Sequence, residues 1–483
     1  MRASWVGTLL SGTILVVSVS LASGGYFRAS WLWLTLGLCS LAGIVLLLRE
    51  RIVLGRLDPL EAAALACFSA WTALSASWSS VPTQSLHDAE RGLVYLAALL
   101  AFALLVERET VYGLLAGVCL GAVLVSAFSL AQRLFATGPI PADLVSGTRL
   151  NEPLGYANGL GALAGMGTVL ALGLVAHARS RAERASWCVA LPILLPTLTL
   201  TQSRGAILAL GAGLSVLALL ERQRAELLAA MVVLLLPGFA AVLVTLHASA
   251  LTDAQATAHQ VSSSGREVAL VIGALMLAAG LASVACDPVS ARLRRRRLTW
   301  TVPLVFTLAL AGVVGVAALG VNRALGPRVD YWRVAWHEFG QHRWLGSGAA
   351  TFAEYWDRAG VRIAVLDAHS LYVETLAELG IVGLALLVVA LVVPLLAARD
   401  GFDHPLAAVA IAVYATFLVH AGIDWDWELP AVTLVGILGA VALLVFGRVG
   451  RHELEVGPLG RGALGVGVAL VAVLAVLARV VVA

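Results

Sequence analysis

About fifteen apolar segments follow one another along this chain, and their length restricts what the chain can fold into. A helix needs about 20 mostly apolar residues to cross the hydrocarbon of a bilayer, where its backbone polar groups must be paired within the segment. The chain is 60% hydrophobic and 13% charged, whereas a soluble domain carries about 25% charged residues. We therefore predict an all-α polytopic membrane protein with about 12–15 transmembrane helices.

The predicted spans are separated by polar connections of varied length. They lie near residues 4–22, 31–48, 59–77, 91–106, 110–134, 157–177, 186–202, 205–220, 226–248, 267–286, 300–320, 376–397, 405–422, 430–447 and 463–482. The first could pass for a cleaved leader, but a second apolar segment follows so closely that we interpret it as a retained span. The chain then divides into an N-terminal transmembrane bundle (1–200), core helices (201–320), a polar segment (321–375) and C-terminal helices (376–483).

The basic residues, all of them arginine, predict the orientation of these spans. Four groups fall on one side if the spans alternate: Arg49, Arg51 and Arg56; Arg179, Arg181 and Arg184; Arg222 and Arg224; Arg292 and Arg294 to Arg297. The positive-inside rule makes that side cytoplasmic, so the segment 321–375 is expected on the outer face of the membrane. The net charge of +3 gives no reason to expect a nucleic acid partner, and anionic membrane lipids account for the basic groups.

Two arginines stand out among the polar connections of the outer face. Arg204, in TQSRGA, lies where one predicted span ends and the next begins, with Ser203 before it. Arg328 lies four residues before Trp332 in RVDYWRVAWHEF, whose residues Trp332, Ala335, Trp336 and Phe339 recur at helical spacing. A guanidinium group binds two phosphate oxygens at once, so either arginine suits a lipid-linked phosphate. The alternatives are an arginine that reaches the headgroups and an interfacial helix with incidental arginines.

The stretch AHSLYVETLAELGIVGL (368–384) places a titratable group at the start of an apolar segment. In a helix that begins near Asp367, we expect His369, Gly380 and Gly383 on one face. Glu374 would point away from the imidazole, so Asp367, Asp424 or Asp426 is the expected partner of the ring. A histidine is often structural, but its position beside two arginine motifs favours a catalytic role.

These motifs together resemble those of the O-antigen ligase and polymerase (Wzy_C-type) superfamily. The order is SRG at 203–205, R-x-x-x-W with G-x-G and a phenylalanine at 328–352, and AHSLY with ELGIVG at 368–383. The stretch RLNEPLGYANGLG (149–161) is also similar to a loop of that family. Ser370 departs from the pattern, because the family often has asparagine there.

The resemblance implies a GT-C-type glycosyltransferase fold with a medium-sized outer loop. It implies a donor glycan linked to undecaprenyl pyrophosphate and an acceptor that is a glycan, a lipid or a protein. The essential arginines would be Arg204 and Arg328, and the essential histidine would be His369. Arg333 and Arg149 are weaker candidates for binding pyrophosphate. The expected supporting residues are Ser203, Trp332, Tyr372, Glu378 and Asp367.

The expected chemistry needs a base and a cation. Histidine has a pKa suited to taking a hydroxyl proton near pH 7, and arginines stabilise the leaving pyrophosphate. The only D-x-D sequence is the aromatic turn at 424–426, so we expect neither a metal nor another cofactor, and a single displacement would invert the anomeric carbon. Three functions stay open: a ligase, a polymerase that uses the same residues, and a transporter of the same lipid.

Overall fold

The computed structural model describes residues 5–140, 147–295, 327–360 and 364–481, and these are almost entirely helical. The first nine helices are α1 (Trp5–Leu21), α2 (Arg28–Leu48), α3 (Asp58–Ser75), α4 (Pro82–Leu105), α5 (Val111–Leu134), α6 (Ala157–Ala176), α7 (Arg181–Cys188), α8 (Leu191–Thr201) and α9 (Arg204–Leu220). The later helices are α10 (Arg224–His247), α11 (Ala258–Ala282), α12 (Cys286–Arg295), α13 (Arg328–Gln341), α14 (Phe352–Arg358), α15 (Leu371–Asp400), α16 (Ala407–Ala421), α17 (Pro430–Phe446) and α18 (Pro458–Val481). Two short strands, β1 (Val53–Gly55) and β2 (Glu453–Glu455), pair in antiparallel fashion.

The helices confirm the prediction of an all-α polytopic membrane protein. Within the described residues, eight helical segments are long and apolar enough to cross a membrane, and α1, α9, α16 and α17 are shorter apolar helices. The more polar α3 and α4 occupy two further predicted spans. The predicted span 186–202 is divided between α7 and α8, and the predicted span 300–320 lies outside the described residues, as do Arg296 and Arg297.

Helix α6 lies at the centre of the bundle, and all of its residues are buried. It packs against α5, α8, α9 and α16. Its glycines permit this close packing, since small residues let helix backbones approach one another in a membrane. A Cβ atom added at Gly161 would lie 2.9 Å from Thr201 Oγ1, and one added at Gly167 would lie 2.9 Å from the Cβ of Ala122.

The connections between helices gather at two ends of the bundle. One end, here called the basic end, contains the ion pairs of Arg49 with Glu107 at 3.2 Å, of Arg108 with Asp403 at 3.0 Å and of Arg448 with Asp58 at 2.9 Å. The described members of the other predicted basic groups join it: Arg184 pairs with Asp287, Arg294 pairs with Glu226, and Arg222 lies over the ring of Phe402.

The other end, here called the loop end, carries the segment that begins at residue 327. Ser80 donates a hydrogen bond to Glu354 at 2.9 Å, which joins the turn after α3 to α14. The rings of Tyr26 and Trp425 lie 5.8 Å apart, which joins the turns after α1 and α16. The predicted candidate residues before α15 therefore lie at the end opposite to the arginine groups.

Helices α13 and α14 pack on the start of α15 around a small core of Tyr331, Ala335, Phe352, Trp356, Val365, Ala368 and Ala377. Tyr331, Ala335 and Glu338 are the buried residues of α13, Trp332 and Phe339 pack against the same small core, and Trp336 is 63% exposed. Glu338 takes an inward position because its carboxylate accepts hydrogen bonds from the hydroxyls of Ser347 at 2.5 Å and Thr351 at 2.9 Å.

The predicted position of His369 inside a helix was wrong. Helix α15 begins at Leu371, because the hydroxyl of Ser370 accepts a hydrogen bond from the backbone N–H of Val373 and caps the helix. Gly380 has a φ of 68° and interrupts the helix, so it shares no regular helical face with His369. An added Cβ at Gly380 would overlap the carbonyl oxygen of Trp344, since the loop after α13 lies directly against this break.

We expect the loop end to face the outside of the cell. The test uses two variants of a protein in which the exposed Cys67 is replaced by serine. One variant carries Gly340→Cys at an open position on α13, and the other carries Gly457→Cys at an exposed position at the basic end. A membrane-impermeant maleimide should label Gly340→Cys in cells whose outer envelope is permeabilised and whose cytoplasmic membrane is intact. It should label Gly457→Cys only after the cytoplasmic membrane is permeabilised as well. Labelling of Gly340→Cys only from the cytoplasm would contradict the orientation.

Candidate active site

The side chain of Asp424 joins three parts of the loop end. It is fully buried in the turn between α16 and α17. Its carboxylate accepts hydrogen bonds from the hydroxyl of Tyr156 at 2.6 Å, from the amide of Asn158 at 2.7 Å and from the guanidinium of Arg328 at 2.7 Å. A buried carboxylate is stable only when it is paired in this way. Asp424 therefore determines where the start of α6 and the start of α13 meet.

Two of the predicted arginines belong to this network. Arg149 donates to the carbonyl oxygen of Thr201 at 2.7 Å and to the side-chain oxygen of Asn158, which itself binds Asp424. The side chain of Arg328 is 21% exposed, and its Nε has no partner among the described residues. Burial lowers the pKa of Arg149, and the positive charge of Arg328 lowers it further. Two cations therefore lie close together, partly neutralised by one carboxylate.

His369 lies beside these cations with its ring against that of Tyr331, at a centroid distance of 4.9 Å. Its Nδ1 lies 3.0 Å from the backbone carbonyl oxygen of Asp367. Because a carbonyl oxygen only accepts hydrogen bonds, Nδ1 must carry the proton, and the lone pair of the neutral ring is then on Nε2. The backbone at His369 has a φ of 55°, which turns the chain immediately before the cap of α15.

The charges around His369 act in opposite directions. Burial lowers the pKa of the His369 imidazole, the negative charge of Asp424 acts to raise it, and Arg328 acts to lower it. Burial alone would raise the pKa of Asp424, but His420, Arg328 and His369 together with the hydrogen bond from Tyr156 hold it below its usual value. At neutral pH the site thus combines a neutral imidazole with an ionised carboxylate.

The SRG turn approaches the same network from another side. Ser203 is buried and caps α9 by accepting a hydrogen bond from Ala206 N at 3.2 Å, so Arg204 is the exposed first residue of that helix. A Cβ atom added at Gly205 would lie 3.5 Å from Nε2 of His420. His420 Nδ1 in turn lies 3.0 Å from Asp426, which is two residues after Asp424. The glycine therefore allows the turn to lie against the end of α16.

Two other predicted site residues, Tyr372 and Glu378, hold helices and loops together. Tyr372 donates to the carbonyl oxygen of Leu418 at 2.8 Å and so ties α15 to α16. Glu378 accepts hydrogen bonds from the backbone N–H groups of Ala350 at 2.8 Å and Phe352 at 2.9 Å, which holds the loop before α14. An added Cβ at Gly348 would overlap Ser79. This glycine therefore allows a neighbouring turn of the protein to lie against the loop.

Trp332 and Arg333 lie apart from the Asp424 network. Trp332 is half-buried against the small core of α13 and α14, and its indole N–H has no partner among the described residues. Arg333 pairs with Asp330 at 2.5 Å on its own helix, where both side chains are more than half exposed. Of the residues predicted from sequence, Arg149 and Arg328 belong to the Asp424 network. His369 lies close enough for the charges of Asp424 and Arg328 to act on its pKa, and Arg204 begins the helix after the neighbouring SRG turn.

The sequence interpretation missed a second polar group, next to Asp367. Arg91 is buried on α4 and pairs with Asp88 at 2.9 Å and Glu428 at 3.0 Å. Carboxylate oxygens of Asp367, Glu374 and Glu428 lie within 4.8 Å of one another. Glu374, which was expected to point away, accepts a hydrogen bond from the backbone N–H of Ala368 at 2.7 Å. The sequence contained one signal for this group, because Arg91 lies at the edge of a predicted apolar span. A charged residue in such a position indicates a functional site by default.

The central role of Asp424 predicts a large loss of stability when it is removed. Asp424→Ala leaves Arg328 without its buried partner, which costs about 3–5 kcal/mol for a broken buried pair. Asp330→Ala removes the partner of Arg333 from an exposed pair and should cost about 0–1 kcal/mol. Thermal unfolding of the purified variants measures the difference, and equal midpoints for the two variants would contradict this role of Asp424.

A family comparison agrees with the motifs at this site. Residues 268–388 match the family model Wzy_C, described as O-Antigen ligase. The matched segment covers about a quarter of the chain and includes Arg328 and His369, whereas Arg149, Arg204 and Asp424 lie outside it. No curated protein matches the chain. The resemblance to the O-antigen ligase superfamily is therefore confirmed.

Proposed function

We propose that this protein is a membrane glycosyltransferase that moves a glycan from an undecaprenyl-pyrophosphate-linked donor to an acceptor hydroxyl. The reaction takes place at the loop end, on the outer face of the bacterial cytoplasmic membrane. The observation that carries the proposal is that Arg328 binds Asp424 directly and Arg149 binds Asn158, which also binds Asp424, close to His369. The O-antigen ligase family match supports this class of enzyme.

The arginines bind the pyrophosphate of the donor in this proposal. Arg328 uses one nitrogen for Asp424, and its side chain remains 21% exposed, so the guanidinium can also donate to phosphate oxygens. Arg149 and the exposed Arg204 supply further positive charge from two other segments. Negative charge builds on the leaving pyrophosphate as the glycosidic bond breaks. Fixed guanidinium groups that stabilise this charge lower the barrier of the step.

His369 is the general base in this proposal. Nε2 takes the proton of the acceptor hydroxyl while the hydroxyl oxygen forms a bond to the anomeric carbon. The bond from that carbon to the pyrophosphate oxygen breaks, and undecaprenyl pyrophosphate leaves with the electron pair. The low pKa that burial gives to His369 keeps its lone pair available at neutral pH, and Asp424 stabilises the imidazolium after proton transfer. Such a single displacement inverts the anomeric carbon.

Replacement of His369 should remove turnover while leaving donor binding intact. We expect His369→Ala to transfer glycan about 10²–10⁴-fold more slowly, because a general base contributes a factor of this size. The measurement is release of undecaprenyl pyrophosphate, together with transferred glycan, by protein reconstituted in liposomes. This release also distinguishes an enzyme from a transporter of the same lipid.

The matched control is His337→Ala, which removes an exposed imidazole from α13 and should leave the rate unchanged.

In the wild-type protein the base must be neutral, and its pKa lies below the ordinary value of 6.5. The rate at limiting substrate should therefore hold between pH 8 and about 6.5 and fall only at lower pH. A full rate in His369→Ala, or an acid limb centred above 6.5, would contradict the role of this base.

The two arginines of α13 provide an internal comparison for donor binding. Arg328→Ala should weaken binding of undecaprenyl pyrophosphate, and Arg328→Lys should restore it only in part because an ammonium group cannot form the two-pronged contact. Arg333→Ala removes an exposed arginine five residues further along and should have little effect. Equilibrium binding of the labelled lipid measures this. Equal affinities in the Arg328→Ala and Arg333→Ala proteins would show that Arg328 is not a phosphate ligand.

A further inference from the structure

Helix α15 is too long to cross the membrane as one straight helix. Its 30 residues would extend about 45 Å at 1.5 Å per residue, whereas the hydrocarbon of a bilayer is about 30 Å thick. The break at Gly380 divides α15 into a short part, 371–379, and a long part, 381–400, which ends beside Asp403 at the basic end. The long part alone corresponds to about 30 Å, so it is sufficient to span the hydrocarbon.

The short part of α15 lies across the loop end of the bundle. The hydroxyl of Tyr372 donates to the carbonyl oxygen of Leu418, near the end of α16. Helix α16 has 15 residues and extends only about 22 Å from the basic end, so a straight α15 would carry Tyr372 far beyond this contact. The chain therefore turns at Gly380, and the short part follows the surface of the bundle.

Helix α13 runs beside the short part of α15 in the opposite direction. Near the start of α13, the ring of Tyr331 lies against that of His369, just before α15. Beyond the last turn of α13, the carbonyl oxygen of Arg343 accepts a hydrogen bond at 2.9 Å from the backbone N–H of Ile381, directly after the break. Helix α13 therefore also lies across the loop end, at the level where the long part of α15 begins.

The side chains of α13 form three sides. Tyr331, Ala335 and Glu338 form the buried side. Val329 and Trp336, seven residues apart and so within about 20° of each other around the helix, form a second side that is apolar and exposed. The third side is polar and exposed, and it carries Asp330, Arg333, His337 and Gln341. A helix with separate apolar and polar exposed sides is typical of the interface between a membrane and water.

A second exposed apolar group lies next to the membrane-spanning part of α15. Trp344 and Leu345 follow α13 and are 70% and 48% exposed. The carbonyl oxygen of Trp344 lies against Gly380. After this break, exposed apolar side chains continue along the long part of α15 at Ile381, Val388, Val389, Val392 and Leu396. Exposed apolar residues on a membrane-spanning helix face lipid, so Trp344 and Leu345 lie where this lipid-facing surface ends.

The residue types of this group match the headgroup layer of a membrane. Tryptophan is enriched there because its ring is apolar and its N–H needs a polar partner. Arg343, which precedes Trp344, is exposed, and an arginine at this level can reach lipid phosphates. Because the long part of α15 is about as long as the hydrocarbon is thick, Trp344 stands at the boundary between hydrocarbon and headgroups.

We propose that Val329, Trp336, Trp344 and Leu345 form a docking surface for the phospholipid bilayer at the loop end. Helix α13 then lies in the headgroup layer, with its polar side toward water. This docking surface keeps Arg328, the first residue of α13, at the depth of the lipid phosphates. The inference adds to the proposed function and does not depend on its chemistry.

Spin labels on single cysteines test the docking surface. The full-length protein, with the exposed Cys67 replaced by serine, is reconstituted in liposomes of phosphatidylethanolamine and phosphatidylglycerol. Labels at Trp336→Cys and Trp344→Cys report on the docking surface. Matched controls are His337→Cys on the polar side of α13 and Val388→Cys on the lipid-facing surface of α15. Power saturation measures collisions of each label with oxygen, which is enriched in hydrocarbon, and with a nickel complex, which stays in water.

We expect the labels at Trp336→Cys and Trp344→Cys to collide with oxygen more than with nickel, as the label at Val388→Cys does. The label at His337→Cys should collide mainly with nickel, although it lies only one residue beyond Trp336. Both tryptophan side chains are mostly exposed, so their removal leaves no cavity in the fold. If either variant does not fold, Val329→Cys exchanges two small side chains on the same apolar side of α13 and gives the same test.

Two results would overturn the docking surface. Frequent collisions with nickel at both tryptophan positions would show that they face water. Rare collisions with both reagents would show that a protein partner or a second copy covers them. Equal results at Trp336→Cys and His337→Cys would overturn the division of α13 into apolar and polar sides. Turnover of the His369 and Arg328 variants is measured separately, so a failure of the proposed function is distinguishable from a failure of the docking surface.

Discussion

The buried carboxylate of Asp424 is the interaction on which the rest of the site depends. Its three donors come from the start of α6 and the start of α13, and they meet because an ionised group cannot remain unpaired at this depth. Asp424 thereby holds the guanidinium of Arg328 close to that of Arg149 inside the protein. Two guanidinium groups would otherwise repel each other, and the shared anion makes their proximity stable.

A second set of buried carboxylates positions the segment between α13 and α15. Glu378 binds two backbone N–H groups of the loop before α14, and Glu338 binds two hydroxyls of the same region. The break at Gly380 lets that loop lie directly on α15. These contacts hold the loop before α14 on α15. His369, which precedes the first turn of α15, is held by the ring of Tyr331 and by the carbonyl oxygen of Asp367.

The distribution of charge around His369 gives the proposed reaction its direction. The cations suit a leaving pyrophosphate, and the negative charge of Asp424 suits the imidazolium that forms when His369 takes a proton.

The sequence by itself determined the class of protein, the positions of most apolar helices among the described residues, and three of the motifs. Span length and hydropathy are local properties, and the bilayer imposes them on each segment separately. The motifs identified Arg149 and Arg328, which the structure joins through Asn158 and Asp424, and His369, whose pKa the charges of Asp424 and Arg328 affect.

Only the tertiary structure decided which groups these residues meet. Tyr156 and Asp424 are 268 positions apart, and no local pattern relates them. The start of α15 at Leu371 was likewise decided by the cap at Ser370 and by the carboxylate of Glu374, which binds the backbone before it. Helical periodicity could not predict this, because it reports which face of a segment is buried and not which polar groups satisfy one another across the bundle.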